Sequence, residues 1–134
     1  MSVFVDSSAL LKRYLDEPDR DRFQSLLRSD PQWILARHAS VEVRRTLVRD
    51  LPDSVIAEAR RRFLADWARA TIVDLDIATC DLACDFAEAL GVRTLDALHL
   101  AAAHRVGGGA LPFLTADLRQ AQAARSLGWT VLGT

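Results

Sequence analysis

The stretch TLDALHLAAAH, residues 94–104, is apolar enough to form a buried helix, yet its third residue is Asp96. A lone carboxylate in a first helical turn carries no chemistry by itself. Three more acids stand in comparable places: Asp6 directly after the apolar run SVFV, Glu42 inside SVEVRRTLVRD shortly after WILA, and Asp117 two residues past the end of FLT. Each has a plain alternative. Asp6 and Asp117 could cap helices, Asp96 could favour the positive end of a helix capped by Thr94, and Glu42 could pair with Arg45 at i,i+3. Taken jointly these alternatives weaken, because carboxylates gathered on one rim repel each other unless a positive charge lies between them. A hard divalent cation supplies that charge. Oxygen ligands without thiolate or imidazole suit Mg2+ or Mn2+, which take one or two direct carboxylates and keep several waters. Such an ion lowers the pKa of a bound water and neutralises charge building on a phosphate during in-line displacement, so the implied chemistry is phosphodiester hydrolysis.

For four acids so far apart in sequence to meet, the strands before them must end at one edge. SVFV reads as a short buried strand, followed by helical spacing through Leu10, Leu11, Tyr14 and Leu15 in SSALLKRYLDE. A second short amphipathic helix, RDRFQSLLRS, precedes the strand WILA and the helix SVEVRRTLVRD. The spacing predicts the longest helix over DSVIAEARRRFLADWARA, with Val55, Ala59, Phe63 and Trp67 every four residues. Then come strand TIVDLD, helix IATCDLACDFAEALG, the Asp96 helix, the triplet Gly107 to Gly109, strand LPFLT, helix DLRQAQAARSLG and strand TVLG. Strands that are continuous apolar runs alternating with helices indicate a parallel sheet covered on both faces, an α/β sandwich. Ligands of such sheets bind beyond the carboxyl ends of the strands, where these acids fall.

Half of the 134 residues are hydrophobic, so residues 1–134 are expected to form one domain with a real core. The start has no basic leader and only a short apolar run before Asp6, which points to a soluble cytoplasmic protein with no membrane partner. Cys80 and Cys84 lack the paired spacing of a zinc site and read as buried free thiols. The net charge of −1 becomes +3 once the four acids are set aside, and of the 17 basic residues only Lys12 is lysine. Arginine suits forked contacts with phosphate oxygens, so a polyanionic substrate is compatible with this balance.

The motifs VFVDSSALLKRYL, SVEVRRTL, TLDALHLAAA and FLTADLRQAQAARSLG occur in this order over nearly the whole chain. By them the chain resembles the PIN-domain ribonucleases, most closely the small VapC-type toxins of bacterial toxin–antitoxin pairs. The resemblance implies a three-layer α/β/α sandwich with a central parallel sheet of about five strands. It implies a Mg2+-dependent endoribonuclease, with Mn2+ as a possible substitute, leaving 5′-phosphate and 3′-hydroxyl ends. Asp6, Glu42, Asp96 and Asp117 would form the acidic metal site, with Ser7 and Thr115 supporting it by bonding a carboxylate or bound water. A homodimer, and an antitoxin that blocks the site with an extended or helical segment, are also implied. Many relatives carry a further acid just after T-x-D, where this chain has Leu118 and Arg119, a departure that weakens the case for a tightly held second ion.

Several other residues have two readings. Arg37, His38, Arg44 and Arg45, near Glu42, could reach an RNA backbone or be a capping histidine and solvated arginines. His99, three residues after Asp96, could touch the acidic site or be a partly buried helix histidine. Asp81, Asp85 and Glu88 form a stripe along a helix body that reads as solvated. The run RRR at 60–62 could meet RNA or an acidic partner, or be the outer face of a long helix. The apolar surplus of ALLKRYL, FQSLL and the Trp67 helix fits a dimer surface or core packing. A structure-specific DNA nuclease and a non-catalytic RNA- or protein-binding module remain alternatives to the ribonuclease; a small-molecule phosphatase is disfavoured because no glycine loop follows a strand.

Overall fold

The computed structural model describes residues 2–134. Its elements are β1 (Ser2–Val5), α1 (Ser7–Leu11), α2 (Arg20–Ser29), β2 (Gln32–Ala36), α3 (Ala39–Asp50), α4 (Asp53–Arg69), β3 (Thr71–Val73), α5 (Ile77–Leu90), α6 (Thr94–Gly107), β4 (Phe113–Leu114), α7 (Leu118–Ser126) and β5 (Val131–Leu132). The strands form one five-stranded sheet in the order β3-β2-β1-β4-β5, and every pairing is parallel. The chain therefore adds strands on one side of β1 and then crosses to its other side. The place where the order reverses, between β1 and β4, is the crevice in which open parallel sheets bind ligands.

Alternation along the central strands builds two cores from one sheet. Val3, Val5, Leu35 and Leu114 join Leu10, Tyr14, Phe23, Leu27, Val43, Leu47 and Phe63 from α1 to α4 on one face. Phe4, Ala36 and Phe113 join Leu100, Ala102, Ala103, Ala123, Ala124 and Trp129 on the other. The three-layer α/β/α sandwich follows from these two packed faces. Core packing absorbs the apolar surplus of the first two helices, since Leu10, Tyr14, Phe23 and Leu27 are all buried within this chain.

Some boundaries differ from the sequence reading. The first helix stops at Leu11 rather than running to Glu17, because Lys12, Arg13 and Tyr14 close tighter turns onto Ala9, Leu10 and Leu11. Those turns let Arg13 and the Tyr14 hydroxyl both reach Asp66 of α4. The strand at 71 ends at Val73, since Asp74 turns out to Arg37 and Asp76 caps α5. The cysteines are not buried: Cys80 is partly exposed and Cys84 exposed, because α5 turns only Thr79 and Ala83 fully inward. Arg62 is not an outer-face residue either, as it donates to the Arg13 carbonyl and lies over the Tyr14 ring.

Gly133 ends β5 at φ 99°, and a Cβ there would lie 2.5 Å from the Thr115 carbonyl oxygen and 2.6 Å from Phe23 Cε1. Both the left-handed backbone and the lack of space exclude a side chain. Gly133→Ala is expected to cost about 1–3 kcal/mol, the usual range for overpacking added to an unfavourable φ, read as a lower urea midpoint.

Candidate active site

The carboxyl ends of β1, β2 and β4 lead Asp6, Glu42 and Asp117 to one rim, and Asp96 reaches it from α6, which follows α5 and not a strand. Asp6 follows β1, and its backbone N–H donates to the Leu114 carbonyl, which ties the rim across the switch point. Glu42 and Asp96 lie in the first turns of α3 and α6, and Asp117 is the N-cap of α7. Two bridges connect the set. Arg93 Nε donates to Asp96 Oδ2 at 3.0 Å and its Nη2 to Asp117 Oδ2 at 3.3 Å. His99 Nε2 lies 2.6 Å from Glu42 Oε1 and 3.6 Å from Asp6 Oδ1.

Hydroxyl groups fix the deeper half. Asp6 is buried, and its Oδ2 accepts from Ser8 Oγ at 2.7 Å and from Thr115 Oγ1 at 2.9 Å. Thr115 Oγ1 also accepts from the Asp117 backbone N–H at 3.1 Å, so one buried hydroxyl couples two of the acids. Ser7 Oγ donates to Glu42 Oε1 at 2.9 Å. Thus the hydroxyls of Ser7 and Thr115 both bond carboxylates directly.

The helix-cap alternatives fare unequally. Asp117 is a true cap, its Oδ1 accepting from Arg119 and Gln120 N–H, which leaves Oδ2 facing the rim. Asp6 stands in the N-cap position of α1 without a side-chain cap bond. The cap position of α6 is held by Arg93, not Thr94, and it too lacks a cap bond. Glu42 bonds Ser7 and His99 instead of Arg45. One oxygen of Asp6, Glu42 and Asp96 is therefore anchored while the other has no hydrogen bond among the described residues.

The surroundings disfavour a charge on Asp96 and favour one on Glu42. Burial chiefly raises the Asp96 pKa above its ordinary 3.8, and the nearby Asp6 and Asp117 charges add to this, together outweighing Arg93. Burial would also raise Glu42, but the His99 hydrogen bond and charge hold it below 4.5. Burial by itself would depress His99, yet Asp6 and Glu42 raise it above 6.5. His38 falls to about 4, first through burial and then through the neighbouring His99.

Among the described residues, one donor set lies close enough together to hold a metal as it stands. His38, Glu42 and His99 offer ligand atoms within 4.8 Å of one another. Nδ1 of both His38 and His99 is buried without a partner, while Nε2 of His38 donates to the Leu95 carbonyl and Nε2 of His99 lies against Glu42. Asp6, Glu42, Asp96 and Asp117 offer oxygen atoms, the donors a hard cation takes, and anchoring bonds already hold one oxygen of Asp6, Glu42 and Asp96.

His38 differs from the expectation of an RNA contact: it is buried, its Nε2 donates to the Leu95 carbonyl at 3.0 Å, and its ring packs 4.0 Å from that of His99. Arg37 is exposed and paired with Asp74 at 2.8 Å. Arg44 and Arg45 are exposed on α3 and line a groove of about 430 Å³ with Val41, Val48, Ile56 and Arg60. Asp81, Asp85 and Glu88 are exposed along α5. Ser8 and Arg93 were missed from sequence. A hydroxyl two residues after Asp6 and a cation three before Asp96 were the available signals.

A family model described as PIN domain matches residues 3–126. Ribonuclease VapC46 from Mycobacterium tuberculosis (strain ATCC 25618 / H37Rv) is 33% identical over 131 residues, covering 98% of this chain and 96% of that protein. Among solved structures, FitAcB from Neisseria gonorrhoeae superposes with a TM-score of 0.72 at 17% identity, covering 98% of this chain and 96% of that one. VapC20 from Mycobacterium tuberculosis, a sarcin-ricin loop cleaving toxin, gives a TM-score of 0.68 at 18% identity over 90% of this chain and 94% of that one. At these identities the two structures support the fold alone.

Proposed function

Because the chain belongs to the PIN-domain family, with the VapC ribonucleases as its relatives, we propose that it is a metal-dependent endoribonuclease and the toxin of a type II toxin–antitoxin pair. The observation that carries the reading is the convergence of Asp6, Glu42, Asp96 and Asp117 on one rim, bridged by Arg93 and His99. We take residues 1–134 as one domain, supported by the single sheet that all strands share.

The quartet's oxygen chemistry favours Mg2+, with Mn2+ as a substitute. When bound, such an ion activates water and offsets charge on the phosphate in an in-line displacement. Asp6, Asp96 and Asp117 would hold it, directly or through water. Glu42, kept ionised by His99 and Ser7, would orient the attacking water or accept its proton. Thr115, Ser8 and Ser7 would keep the carboxylates from turning away. Arg44 and Arg45 are the remaining candidates for the RNA backbone, with Arg37 once it leaves Asp74. The groove between α3 and α4, with exposed Val41 and Val48 beside arginines, suits an amphipathic acidic segment and is where we place the cognate antitoxin. A homodimer and a cytoplasmic location complete the reading; among the described residues no helix is long and apolar enough to cross a membrane.

Antitoxin-free protein is expected to cut a mixed cellular RNA pool into discrete fragments with 5′-phosphate ends in Mg2+ or Mn2+, and to leave it intact in EDTA. Equal cleavage of matching DNA strands would move the substrate to DNA. Intact RNA from folded protein, with no metal binding, would leave a non-catalytic module.

A further inference from the structure

Arg93 sits where helix energetics alone would not put it. It occupies the N-cap of α6 with extended backbone, φ −68° and ψ 161°, and makes no cap bond. That end of a helix carries the positive pole and favours Ser, Thr, Asp or Asn over a cation. What the position does serve is the acidic rim, through the bonds to Asp96 and Asp117. Its root is fixed, since Gly91 turns at φ 65° and Val92 packs against the core, while the side chain stays 69% exposed.

The hold on the acids is loose. The 3.3 Å contact to Asp117 is long for a bond between charged groups, and water screens an exposed pair. A guanidinium has more N–H donors than these two bonds use, so Arg93 can bond another oxygen without leaving the rim. Arg119 lines the same cleft of about 390 Å³ together with Arg93 and Asp96. Acids and free cationic donors thus lie side by side, an arrangement that fits a metal ion next to a phosphodiester.

We propose that Arg93 is a displaceable cation of the active site. It neutralises Asp96 and Asp117 in the metal-free protein, gives them up when a divalent cation takes over their charge, and then contacts a non-bridging oxygen of the substrate phosphate. This rests on reading the four acids as the metal site. Two consequences have opposite sign: without Arg93 the acids bind metal more tightly, yet the RNA is cut more slowly. A residue that only shaped the rim would move both in the same direction.

The test measures free Mn2+ by electron paramagnetic resonance in titrations of RNA-free wild type, R93Q, R93K and D96N, alongside single-turnover cleavage of one RNA at saturating Mn2+. R93Q is expected to bind Mn2+ about two- to fivefold tighter, the scale of an exposed ion pair, while cleaving about 10²-fold more slowly, the scale of one lost oxyanion donor. R93K keeps the charge but not the planar fork, so its Mn2+ affinity should match wild type and its cleavage should fall between the two. R93Q with unchanged or weaker Mn2+ affinity, or with wild-type cleavage at saturation, would overturn the role of Arg93 while leaving the metal site standing. Wild type that binds no Mn2+, or D96N that binds it as well as wild type, would instead overturn the metal site and this role with it.

Discussion

His99→Leu is expected to lower the unfolding free energy by about 3 kcal/mol at neutral pH and to abolish cleavage. Leucine keeps much of the packing against Phe4, so the loss comes from charge. His99 is fully buried with Nε2 between Glu42 and Asp6, and removing one partner of a buried pair leaves the other uncompensated, typically at 3–5 kcal/mol. The lower end applies because Glu42 keeps partial access to water and can take up a proton. The pH dependence has a definite sign. His99 has its pKa raised above 6.5, so its contribution is complete below that value and is lost as pH rises through its folded pKa. Glu42 has its pKa lowered from 4.5, so its contribution is present above that value and is lost as pH falls through its folded pKa. The gap in stability between wild type and variant should therefore be widest between those two limits and narrow on either side. Urea unfolding across pH measures it; coincident midpoints at neutral pH would mean that the imidazole carries no structural charge.

Asp96→Asn is expected to separate stability from activity. The Asp96 pKa is raised above 3.8, which for a carboxyl means that the fold disfavours its charged form: stability falls as pH rises through the shifted pKa and stays lower at neutral pH. Asparagine keeps the shape and removes that charge, so the melting temperature of the metal-free variant at pH 7 should equal or exceed the parent's. Cleavage should drop by about 10²–10⁴, since metal stabilisation of the transition state is worth several kcal/mol and each 1.36 kcal/mol is tenfold. Added Mg2+ should raise the parent's melting temperature and leave the variant's unchanged. A variant that melts well below the parent and retains cleavage would make Asp96 a structural residue of α6.

Local signals were enough for much of this architecture. SVFV, WILA and the runs near 71, 113 and 131 all became strands of one parallel sheet, because short apolar runs between helical patterns have few other ways to bury themselves. Asp6 and Asp117 were legible for the same reason, since a residue just past a strand end has its position set by that strand, whereas Asp96 follows a helix and is placed by the packing of α6 on α5 and β2. What stayed hidden depends on partners distant in sequence. The first helix is short because Arg13 and Tyr14 turn toward Asp66, more than fifty residues away. Sequence could nominate His99 by its spacing from Asp96, but its burial against Glu42 depends on how α3 meets α6. His38 could be read as an RNA contact or a helix cap; the ring of His99 and the Leu95 carbonyl, both distant in sequence, draw it inward. The i,i+3 spacing of Arg93 from Asp96 is a local signal, but its second bond, to Asp117, depends on how the start of α6 meets the start of α7.

If the four carboxylates form one metal site, an anomalous difference map from crystals soaked in Mn2+ will show one strong peak enclosed by Asp6, Glu42, Asp96 and Asp117, with Arg93 released from Asp96. A peak held by His38 and His99, or none while Arg93 still bridges Asp96 and Asp117 at saturating Mn2+, would contradict that reading.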